Sequence, residues 1–103
     1  MSFSTKTNKT VKDLYLELSN MGSRFLYTIP YGSEIEKANG FISVTGKGDE
    51  LPVLTMCVNN PISGRAIVST IVFPSEKIYS KLVESLLVDL SVNFNGEESN
   101  EDS

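Results

Sequence analysis

The chain has no histidine and no tryptophan, a single cysteine, and no apolar run longer than three residues. Without an imidazole, Ser-His-Asp and Cys-His catalysis have no base. One thiol cannot close an intrachain disulfide, and it cannot supply a zinc site built from several Cys and His ligands. A membrane-spanning helix needs about 20 apolar residues in succession, and no stretch comes near that. Met1 to Thr10 has no hydrophobic segment of the secretory kind, so a reducing, cytoplasmic setting is expected. No cofactor and no metal are expected, and the chain is not expected to be an enzyme.

What is present is ordinary in amount and uneven in placement. The 103 residues are 40% hydrophobic and 21% charged, which suits one globular domain. The net charge is −4, and residues 95–103 alone carry four acids and no base. Residues 1–12 carry three lysines and no acid. The predicted organisation is a flexible basic arm over 1–9, one α+β domain over 10–94, and a disordered acidic tail over 95–103.

Local signals order the elements of that domain. Thr10 with Asp13 three residues on is a variant capping box. Val11, Leu14, Tyr15, Leu18 and Met21 then follow at helical spacing, and Gly22 ends the run. Leu16 falls off that stripe. Four extended stretches come next, around Phe25–Tyr31, Phe41–Thr45, Leu51–Val58 and Arg65–Phe73. Gly46-Lys47-Gly48-Asp49-Glu50 and Asn59-Asn60-Pro61-Ile62-Ser63-Gly64 make turns between them. Ser33-Glu34-Ile35-Glu36 has capping-box spacing and predicts one helical turn. Pro74-Ser75 opens a second helix, whose broad apolar face holds Ile78, Tyr79, Leu82, Val83, Leu86, Leu87 and Leu90. The expected fold is α+β: a four-stranded antiparallel meander with an N-terminal and a C-terminal helix packed on one face, in the order αββββα.

Two features of this pattern need a neighbour. The stretch Ala66–Phe73 holds no charge and no proline, an aggregation hazard if left at a sheet edge. It should therefore lie inside the sheet or beneath a partner chain. Val88 and Val92 fall off the second helix's main face, which makes that helix apolar on more than one side. Such a helix commonly has two neighbours, so a homodimer is expected, with Val88 and Val92 as its candidate interface.

Candidate chemistry is thin. Gly40 and Gly46-Lys47 are separated by five residues where a phosphate loop needs four, and Gly48 stands where that loop needs Ser or Thr. The acid pairs Glu34/Glu36 and Asp49/Glu50 sit in turns without the alternation of a calcium loop. Cys57 lies in the run Leu54–Val58 and reads as a small buried hydrophobe.

Two functional readings follow. The first is a small non-enzymatic protein-interaction module: an inhibitor, accessory subunit, immunity-like factor or dedicated chaperone, with a phage as one expected source. It would bind a partner protein and occlude or stabilise it. Tyr31 is its candidate aromatic anchor, and Lys47 and Arg65 its candidate charged contacts. The second is a single-stranded nucleic-acid binder. Tyr27, Tyr31 and Phe41 would be stacking platforms on a sheet face, Arg24, Lys37, Lys47 and Arg65 phosphate contacts, and the acidic tail a regulator. Against it, residues 1–94 hold nine bases and nine acids, without the basic excess such binders show.

Overall fold

The computed structural model describes residues 2–83 and 85–93, with residues 2–6 described by their backbone. The chain runs through β1 (Ser2–Lys6), α1 (Val11–Met21), β2 (Phe25–Ile29), a single 3-10 turn (Ile35–Lys37), β3 (Gly40–Thr45), β4 (Val53–Asn59), β5 (Ala66–Val72) and α2 (Glu76–Leu82). A further helical stretch, α3, covers residues 85–93. The five strands form one antiparallel sheet in the order β1-β5-β4-β3-β2. The α+β class, the antiparallel meander β2–β5 and the helix on either side of it in sequence are as expected.

The capping signals act as their chemistry dictates. Thr10 Oγ1 accepts from the Asp13 amide at 3.2 Å, and the Thr10 amide donates back to Asp13 Oδ2 at 3.3 Å. Gly22 closes α1 in the left-handed region at φ +82°. Ser75 Oγ accepts from the Ile78 amide at 3.2 Å and starts α2. The Ser33–Glu36 pattern gives only the 3-10 turn, which has no side-chain cap; Ser33 Oγ instead donates to the Pro30 carbonyl at 2.6 Å.

Three expectations are corrected. First, the segment read as a flexible arm is ordered over 2–6 as β1, paired with β5 from Ser2↔Ile71 to Lys6↔Ile67. Its Ser and Thr residues suit a strand, and the meander alone would leave one edge of β5 unpaired. So β5 is internal, as its uncharged sequence requires, and the chain's own N-terminus covers it. The sheet accordingly has five strands. The expected acidic tail over 95–103 lies outside the described residues.

Second, the helices do not share a face. α1 packs Val11, Leu14, Tyr15 and Leu18 on Phe41, Cys57, Ala66 and Val68. The α2–α3 segment packs Tyr79, Val83 and Leu87 on Ile29, Ile42 and Val44. In β3, Phe41 and Ile42 are adjacent and both buried, so they point to opposite faces and each needs its own cover. A strand buried on both sides requires helices on both sides.

Third, the second helix is divided. Val83, at φ −113° and ψ −37°, caps the end of α2 and separates it from α3, although the Leu87 amide still reaches the Val83 carbonyl at 2.8 Å.

The double edge cover gives a direct test. The amides of Val68 and Thr70 face β1 and should exchange at rates near those of global unfolding, and removal of residues 1–8 should speed them by about 100-fold or more. Rapid exchange along β5 in the intact chain would contradict the β1–β5 pairing.

Candidate interaction surfaces

The α2–α3 segment covers only part of its sheet face. Its buried residues, Tyr79, Val83 and Leu87, meet β2 and β3. Leu54, Met56 and Phe73 pack partly against them, and toward β5 the described residues leave the sheet face open as a groove of about 340 Å³. Its floor is Leu54, Met56, Ser69, Ile71 and Phe73, and its wall is Leu82, Val83, Leu86, Leu87 and Leu90. No charged residue lines it.

The wall departs from what helical spacing implied. Leu82, Leu86 and Leu90 belong to the apolar face expected to be core, yet they are 59%, 49% and 40% exposed. Ile78 stands half-exposed beside them. Residues 87 and 91 are buried, and helical geometry places 86 and 90 on one flank of that stripe and 88 and 92 on the other. The structure thus shows a surplus of apolar surface on this helix, carried chiefly by the leucine flank. Val88 is half-buried, Val92 is 48% exposed, and neither lines the groove.

A second concavity, of about 330 Å³, lies where β2 forms the free edge of the sheet. Tyr15, Tyr27, Tyr31, Leu26 and Thr28 line it. Tyr27 and Tyr31 meet edge to face at 5.2 Å, and Tyr31 is 46% exposed. Tyr31 is thus exposed beside the free edge, and the two candidate charged contacts are elsewhere. Arg65 ends the β4–β5 turn, at the same end of the sheet but three strands away. Its guanidinium donates to the Asn8 carbonyl and so ties down the β1–α1 connection. Lys47 is exposed in the β3–β4 turn, at the opposite end of the sheet. Tyr31, Lys47 and Arg65 therefore do not form one patch.

The chain matches no family model, no curated protein and no solved structure.

Tyr27, Tyr31 and Phe41 do not share one exposed sheet face. Phe41 is fully buried beneath α1, edge to face with Tyr15 at 5.5 Å. Tyr27 lies on the other face of the sheet, among the residues that α2 and α3 cover. The basic residues proposed beside them are largely engaged. Lys37 is 3.9 Å from Glu34. Arg24 donates through Nη1 to Glu76 Oε2 at 2.9 Å and through Nε to the Gly46 carbonyl at 2.8 Å, and its guanidinium lies over the Tyr79 ring at 5.1 Å.

That Arg24 cluster is a positioning device, and the sequence carried no signal for it, because its partner is 52 residues away. It joins the start of β2 to the β3–β4 turn and to the first turn of α2, and so sets where α2 leaves the sheet. The bond from Arg24 holds the Glu76 carboxyl below the usual carboxylate range. A depressed carboxylate contributes stability above its unfolded pKa and loses it as pH falls through its folded pKa. Glu76→Gln should therefore lower stability at pH 7, and the gap should begin to close as pH falls below the ordinary glutamate value of about 4.3. Urea midpoints measured across pH check this; a constant gap at all pH values would contradict it.

No group of three or more potential metal ligands occurs among the described residues. Cys57 is buried at the core of the α1 face, and desolvation pushes its thiol up to about 12, the reverse of what a nucleophilic thiolate needs. No described helix is long and apolar enough to cross a membrane.

Proposed function

We propose that this chain is a non-enzymatic protein-interaction module and that its contact surface is the groove between β4–β5 and the leucine flank of α2–α3. One observation carries the reading: an uncharged groove walled by leucines that the fold leaves 40–59% exposed. Contiguous exposed apolar surface of this kind marks contact sites on soluble proteins. A protein surface is the fitting occupant because the groove is long, open and without a charged or metal-binding group to orient a small polar substrate.

A photo-crosslinking residue at position 90 in the native cell tests this. Adducts with a polypeptide are expected, and they should be lost when Leu86→Asp is added. An adduct of one chain with a small molecule only, or labelling unaffected by Leu86→Asp, would overturn the proposal.

A further inference from the structure

We infer that the protein this groove takes is a second copy of the same chain, docked antiparallel about a two-fold axis close to Leu86. The inference rests on the groove being a protein-binding surface, and it names the occupant.

The groove's wall is also the shape that would fill it. Leu82, Leu86 and Leu90 follow one another at intervals of four and stand out beside the trough they border. A two-fold contact requires one patch to serve as both ridge and groove, so that residue i of one copy meets residue j of the other and the reverse. With the axis near Leu86, Leu82 of each copy lies beside Leu90 of its mate. Each ridge then seats over the mate's Met56, Ile71 and Phe73, a floor that the described chain covers only in part.

Charge favours the same orientation. Lys77 and Lys81 lie on exposed positions of α2, whose one acid, Glu76, is paired with Arg24, and Asp89 lies on an exposed position of α3. Four more acids follow α3 in the sequence, at 97, 98, 101 and 102. An antiparallel approach sets the basic start of one segment against the acidic end of the other. A parallel approach would oppose like charges at both ends.

Length sets the strength. From Ile78 to Leu90 the ridge extends roughly 18 Å at a helical rise of about 1.5 Å per residue. Such a contact falls in the small interface class, below about 1,200 Å² in total. Reversible association with a dissociation constant on the order of 10 µM is expected.

Sedimentation of the full chain from about 1 µM to about 500 µM brackets that value. The wild type should pass from monomer to dimer across the range. Leu86→Glu/Leu90→Glu should stay monomeric, its affinity weakened by about 100-fold or more, with an unchanged circular dichroism spectrum. Leu86→Ser/Leu90→Ser serves should the charges disturb folding. Val92→Glu, on the other flank of α3, should dimerise like the wild type. A wild type monomeric throughout overturns the inference, as does a dimer abolished by Val92→Glu but not by the leucine changes. If the wild type is monomeric yet the probe at position 90 still labels a different protein, the self-docking is wrong and the interaction reading stands. If that probe labels no polypeptide, both fail.

Discussion

Gly46→Ala should destabilise the protein by about 3 kcal/mol or more, a large part of the total stability of a domain this size. Gly46 opens the β3–β4 turn at φ +91°, a conformation that L side chains rarely adopt. An added Cβ would also lie 2.1 Å from the Leu51 carbonyl oxygen and 2.9 Å from its carbon. Both are backbone atoms of the facing chain, so the turn itself must open. The Gly46 carbonyl accepts from Arg24, so the displacement reaches the anchor of α2 as well. Gly48 separates the two causes. It too has positive φ, +70°, but nothing lies within 4 Å of an added Cβ. Gly48→Ala should therefore show the conformational cost alone, about 1–2 kcal/mol. Urea unfolding of both variants measures the difference; equal losses would mean the backbone relieves the clash without strain.

Phe41→Ala should lose about 3–5 kcal/mol, the range for deleting a buried aromatic side chain. Phe41 is fully buried in β3, with α1 over it and Tyr15 edge to face. The residue was a candidate stacking platform for nucleic acid, and the two roles make opposite demands. A platform aromatic is exposed, and its removal barely changes stability; a core aromatic is not replaceable. A loss under about 1 kcal/mol on thermal or urea unfolding would contradict the packing of α1 on this face.

The parts of the fold legible in the sequence are those set by residues close together in it. The Thr10–Asp13 box, Gly22 at the end of α1 and Ser75 at the start of α2 each act within four residues, and each is found as read. The uncharged run of β5 carried a stronger implication, that something must cover its edge. The cover is the N-terminal segment, which looked flexible because its Ser, Thr and Lys residues have no hydrophobic pattern. Its order comes from β5's unpaired backbone, a partner more than 60 residues away.

The faces of the helices were not legible for a related reason. Phe41 and Ile42 are adjacent in β3 and both apolar, and a strand rich on both faces does not say which helix goes where. Nor could spacing tell buried from exposed leucines in α2–α3. Leu87 and Leu86 are adjacent and chemically identical; one is buried against β2–β3 and the other stands half-exposed. The sequence pattern shows an excess of apolar residues on this helix and points to Val88 and Val92 for it. The larger share lies in Leu82, Leu86 and Leu90, because the helix sits to one side of its sheet face rather than along its middle. The Arg24–Glu76 pair, which fixes where α2 departs, is part of that offset.

The account turns on those leucines serving contact rather than folding, and urea unfolding of the wild type and Leu86→Ser/Leu90→Ser at low and high protein concentration tests it most directly. At about 1 µM the two should unfold within roughly 0.5 kcal/mol of each other, as for exposed positions. At about 200 µM the wild-type midpoint should rise, because association favours the folded state, and the variant's should not. A loss of about 2 kcal/mol or more in the variant at the low concentration, with no concentration dependence in the wild type, would place the leucines in the core and contradict the account.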